Sequence, residues 1–144
     1  MIILLTCICA TVSSCHKEDN HCKKIVPLKA EFQIIAGKDD QITGTGKGTP
    51  IGNSTFIAHD NTANFPLLTG SQTITAENGD QIFSTHSGSA KGPDKNGILL
   101  ITLNNLITGG TGRFAGASGT FIANGKTNTV IGTGTVTFDG TISY

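Results

Sequence analysis

The stretch Thr108–Phe121, reading TGGTGRFAGASGTF, limits what this chain can fold into more than any other. Five glycines crowd into a turn between the apolar run Ile98–Ile107 and the run Thr120-Phe-Ile-Ala123. A turn of this kind either opens a helix that cradles phosphate or joins two strands of a sheet. A dinucleotide loop works because it leads a strand into a helix whose N-terminus receives the pyrophosphate, inside a βαβ unit. Here Ala115 stands at the third small position and Gly116 follows at once. No amphipathic helix precedes Thr120, and no acidic ribose partner stands near the expected spacing. A phosphate loop around Gly125-Lys126-Thr127 fails too, because Thr120 occupies the position of the leading glycine. The turn therefore joins strands.

The rest of the chain reads the same way. Leu28, Ala30, Phe32 and Ile34 alternate with Lys29, Glu31 and Gln33, which is the period of a half-buried strand over 28–36. A turn follows at Gly37–Asp40, and the glycines and proline of Gly44–Pro50 predict a loop or sharp bend. Ser54–Ala58 is a short strand, and Asp60–Pro66 a connection. Ser71–Ala76 and Gln81–Ser87 flank Asn78-Gly79, the dipeptide that most favours a hairpin turn. Gly88–Asn96 reads as a loop, and Ile98–Ile107 as a strand buried on both faces or central in its sheet. A strand at Thr120–Ala123 and a turn at Asn124-Gly125 lead to the cleanest alternation of all. Val136, Phe138, Ile142 and Tyr144 lie on one face, and Thr133, Thr135, Thr137, Asp139, Thr141 and Ser143 on the other. Seven or eight short strands, 19 glycines, no tryptophan and no helical period indicate an all-β sandwich or closed barrel.

The N-terminus is a separate element. Ile2-Ile3-Leu4-Leu5, Ile8, Ala10 and Val12 form an apolar run of secretory-signal length, too short for a permanent membrane helix. The polar break after it argues against the alternative of a buried strand. It ends in Val12-Ser13-Ser14-Cys15, which resembles a bacterial lipobox. That resemblance implies cleavage before Cys15 and lipidation of its thiol. No Lys or Arg precedes the apolar run, so the natural chain is expected to start further upstream. Lys17-Glu18-Asp19 is similar to a surface-export signal of some Gram-negative groups. The expected organisation is a signal over 1–14, a lipidated tether over 15–27 and a β-barrel domain over 28–144. The expected address is the outer membrane, on its periplasmic or surface side, with the lipid as the membrane contact. Cys22 is then an unpaired thiol in the tether.

The segment Ile107–Gly119 resembles the strand–turn–strand signature of the allene oxide cyclase-like and dirigent-like barrels, which share a Gly-Gly-Thr-Gly-(Arg/Lys)-Phe core and a closing glycine. The matching positions are Gly109, Gly110, Gly112, Arg113, Phe114 and Gly119. The similarity extends loosely over Gly70–Tyr144, taking in Asn78-Gly79-Asp80 and the closing Gly140-Thr-Ile strand. It implies a closed antiparallel barrel of about eight strands with a largely apolar interior. Within it, Phe114 is expected to plug one end and Arg113 to cap loop carbonyls. The family's catalytic members act on hydrophobic small molecules inside the barrel, but no catalytic residue carries over position by position.

Ten basic residues balance ten acidic ones, which leaves no basic face for nucleic acid. His16, Glu18, Asp19, His21 and Cys22 form a candidate metal cluster, but on a tether that does not preorganise ligands. No metal and no cofactor is therefore expected. His59 and His86 fall on or beside strands, and with Asp60 or Glu77 they would supply acid–base chemistry if they pointed into a cavity. Three readings follow. The leading one is a non-catalytic, lipid-anchored barrel that binds a small hydrophobic ligand or serves as a structural or interaction module. The second is an isomerase or cyclase acting on a lipid-derived substrate, which requires a buried polar cluster. The third is an adhesin that forms homo-oligomers through its outer face.

Overall fold

A computed structural model describes residues 23–144. The signal, Cys15, Cys22 and the candidate metal cluster lie outside the described residues. Eight strands follow one another along the chain: β1 (Ile25–Ala36), β2 (Gln41–Thr49), β3 (Gly52–Asn61), β4 (Leu67–Thr75), β5 (Gln81–Lys91), β6 (Ile98–Gly110), β7 (Ser118–Asn128) and β8 (Thr133–Ser143). Each pairs antiparallel with its neighbour, and β1 pairs with β8 to close the barrel.

The alternation seen in the sequence becomes an inside and an outside. Leu28, Ala30, Phe32 and Ile34 of β1 face in, as do Val136, Phe138 and Ile142 of β8. The outward positions of β8 are threonines and Asp139, which pairs with Lys29 on β1 at 2.9 Å. A closed barrel leaves no edge strand with unpaired N–H and C=O groups, which stabilises a sheet this rich in threonine and glycine.

Several expectations change. Gly44–Pro50 is mostly strand, because its glycines are inward positions that must stay empty. A Cβ on Gly44 would lie 2.2 Å from Cε1 of Phe56, so the missing side chain makes room for that ring. Asn124-Gly125 is likewise no turn but the interior of β7, and β5 continues to Lys91 through the expected Gly88–Asn96 loop. The run Ile98–Leu103 is not buried on both faces: Leu100 points outward and is exposed, while Leu103 is half-buried inside. Finally, β1 takes in Ile25–Pro27, which the sequence assigns to the tether, and Lys24 exchanges backbone hydrogen bonds with Tyr144.

The two ends of the barrel differ. One end gathers the β2–β3, β4–β5 and β6–β7 connections together with Lys24 and Tyr144. Beneath it lie the fully buried Leu28, Ile51, Ile74, Ile82, Phe114 and Ile142. A cluster of Phe32, Phe56, Phe121 and Phe138 fills the middle, with ring centroids 4.8–5.5 Å apart. Truncating Phe114 to Ala empties the closed end without reaching the strands, and costs about 3–5 kcal/mol by the usual cavity penalty. Urea unfolding of the variant should show the unfolding free energy in water falling by that amount, through a lower midpoint with little change in slope.

Candidate functional site

The signature loop builds the closed end. Gly109, Gly112 and Gly119 have positive φ, and Gly112–Phe114 makes a single 3-10 turn. Gly112 could not carry a side chain here, since its Cβ would lie 1.8 Å from Oδ1 of Asp80. Gly110 is equally confined, with the carbonyl of Gln81 2.3 Å from the place of its Cβ. Phe114 is fully buried and meets Tyr144 edge-on at 4.9 Å. The Arg113 guanidinium stacks on the Phe114 ring at 4.6 Å and donates from Nη2 to the Pro50 carbonyl at 3.0 Å. The loop is therefore a lid latched over an apolar plug, and among the described residues its groups face no cavity.

Asp80 holds that latch. Its carboxylate accepts from the Arg113 backbone N–H at 3.0 Å and from Asn78 Nδ2 at 2.7 Å. The Arg113 N–H is the larger cause, Asn78 the second and the guanidinium charge a smaller one; together they hold the Asp80 carboxyl below its ordinary value against a small desolvation effect. The native state thus binds this proton more weakly than the unfolded chain. The stabilisation is complete above the unfolded value near 3.8 and disappears as pH falls through the lower native value. In thermal melts from pH 6 to pH 2, Asp80→Asn should flatten the acid limb of the stability profile below pH 4.

The opposite end is chemically different. Inward positions there carry Gln72, Ser84, His86, Asn105 and Thr127, all buried, and Asp60, which is partly buried. The register explains how they meet. Asp60 on β3, Gly70 on β4, His86 on β5 and Asn105 on β6 are successive cross-strand partners in one lateral row. Gly70 lies between the two ionisable residues. A Cβ there would sit 2.5 Å from Nε2 of His86, so only glycine lets the imidazole lie across β4. Nε2 then reaches Oδ1 of Asp60 at 2.9 Å. Gln72 Nε2 donates to Asn105 Oδ1 at 3.0 Å. The side chain of His86 is wholly buried and that of Asp60 is 12% exposed.

Beside this row lies a cavity of about 50 Å³. Its walls are mostly apolar, with Ile34, Ile42, Phe56, Leu103, Val136 and Phe138 among them, and Asp60, Gln72 and Thr127 provide its polar groups. A water needs roughly 10–15 Å³ of such space, so the cavity holds a few waters or the head of a small ligand. The interior is therefore neither as apolar as the family resemblance implies nor completely filled by side chains.

His59, the other candidate base, points outward and is exposed on β3. Glu77 lies at the closed end, where it accepts from Asn53 Nδ2 at 3.1 Å. Of the residues proposed for acid–base work, only His86 and Asp60 come together. His86 does not line the cavity and stands behind Asp60. Gln72, Ser84, Asn105 and Thr127 were not singled out from sequence. The available signal was parity, because each falls on the inward register of its strand.

No protein-family model matches the chain, and no curated protein matches it. A solved structure of a pterocarpan synthase dirigent protein is similar over 85% of this chain and 86% of its own, at 17% identity and a TM-score of 0.36. That likeness is too distant to carry an argument, and the closed eight-stranded barrel rests on its own strand pairing.

Proposed function

We propose that this protein is a lipid-anchored barrel of the cell envelope that binds the head of a small, largely apolar molecule at its open end, without catalysis. The observation that carries the reading is the cavity beside Asp60 and Gln72, an apolar chamber with a few convergent polar groups. The resemblance of Ile107–Gly119 to barrels that take hydrophobic small molecules supports it. Lys23 and Lys24 join the fold at the closed end, where Lys23 Nζ donates to Gly116 O at 2.6 Å. The chain thus enters the barrel at the end away from the cavity, which is compatible with an anchor upstream.

The isomerase or cyclase reading has one observation in its favour, the buried Asp60–His86 pair. Its weakness is positional. The imidazole spends Nε2 on Asp60 and does not reach the chamber, so Asp60 alone would have to act as both acid and base.

Two experiments test the proposal. Gly125 lines the cavity, and a Cβ added there meets nothing closer than 3.6 Å, so Gly125→Leu fills the chamber without a backbone clash. Native mass spectrometry of protein extracted from its own membrane should show a small-molecule adduct on the wild type and none on Gly125→Leu; a bare wild type would refute the binding reading. Cys15→Ser should move the protein from the membrane pellet to the soluble fraction, and continued sedimentation with membranes would refute the lipid anchor.

A further inference from the structure

We infer that the cavity selects a cation: its ligand carries a protonated amine on a narrow apolar body, and the amine pairs with Asp60. The inference rests on the ligand-binding reading above and adds the chemical class of the ligand.

His86 fixes the state of Asp60 through its hydrogen bonding. A carboxylate only accepts, so the 2.9 Å contact between Nε2 and Asp60 Oδ1 places the ring proton on Nε2. Nδ1 is buried and has no partner among the described residues. An imidazolium there would bury a charged N–H with nothing to accept it, whereas a neutral ring leaves only a lone pair unmet. The buried Nδ1 favours the neutral ring, which orients Asp60 and leaves its charge uncancelled.

Nothing else inside the barrel cancels it. Every Lys and Arg among the described residues is exposed. Oδ1 of Asp60 is taken by His86, and Oδ2 accepts no hydrogen bond among the described residues. A carboxylate on the wall of an apolar chamber is thus left with one oxygen free and no counter-charge. At 12% exposure this carboxylate keeps little contact with water, and a cationic partner would take its place.

Two further features favour a cation as that partner. Phe56 and Phe138 line the same chamber, and ring faces attract an ammonium. At the rim, Asp40 lies against Asp60: the Asp60 N–H donates to the Asp40 carbonyl at 3.0 Å. The Asp40 carboxylate accepts from Thr62 Oγ1 at 3.0 Å. Asp39 is its chain neighbour and Lys38 precedes them, so carboxylates outnumber ammonium groups two to one on this turn. The volume of about 50 Å³ admits a primary ammonium and its first carbons, and the remaining chain leaves through the mouth.

The test is a titration series on the full chain in lipid nanodiscs, with empty nanodiscs as the blank, using n-hexylammonium, 1-hexanol and hexanoate. Calorimetry should show n-hexylammonium binding at least ten-fold more tightly than 1-hexanol, with hexanoate weakest. Asp60→Asn should remove the preference and retain 1-hexanol, and Gly125→Leu should lose both ligands. The order among the three probes on the wild type decides the matter even if a variant fails to fold. Equal binding of n-hexylammonium and 1-hexanol, or tighter binding of hexanoate, overturns the cation assignment and leaves the cavity reading standing. Binding of none of the three to the wild type overturns both.

Discussion

The fixed bore of an eight-stranded barrel is the constraint on which the rest of this structure depends. Such an interior is just wide enough to be filled by side chains. Large inward groups are therefore set against inward positions that carry little or nothing, such as glycine or alanine. Phe56 lies over Gly44, Phe121 over Gly140 and His86 over Gly70, each at a separation that a Cβ would violate. The glycines of this chain are thus mostly packing residues within strands, and fewer are turn residues than their number suggests.

That constraint is met differently at the two ends. At the closed end the signature loop lays Phe114 over a floor of isoleucines and a leucine, with Arg113 and Asp80 fastening the loop from outside. At the open end the bore is filled by polar side chains that answer one another across strands, and the fit is incomplete. Ser84 Oγ and His86 Nδ1 are buried without partners, and the chamber beside Asp60 remains. A protein interior normally satisfies such groups or excludes them. Here they collect on one side of the barrel, where Asp60 shares a chamber with Phe56 and Phe138 and His86 stands behind it.

Much of the fold was legible because a strand has a period of two and half of each strand is buried. The alternations at Leu28–Ile34 and Val136–Tyr144 led directly to inside and outside, and Asn78-Gly79 marked its hairpin. The misreadings share one cause. Gly44, Gly46 and Gly48 look like a loop in isolation, and so does Asn124-Gly125, because a glycine kept empty for a neighbour is indistinguishable from one that turns the chain. Ile98–Ile107 read as doubly buried or sheet-central; the second holds, since β6 is paired on both sides, and hydrophobicity alone does not reveal that Leu100 faces out.

The candidate site shows the same division. By itself the sequence determined an all-β chain, the signature turn between two strands and the inward and outward faces of the first and last strands, since these follow from local periodicity and turn chemistry. Only the tertiary structure decided that His86 turns in while His59 turns out. It alone placed Asp60, Gly70, His86 and Asn105 in one lateral row and left a chamber beside them. Those facts depend on the register between strands far apart in sequence and on the closure of β1 against β8, and no local pattern carries that information.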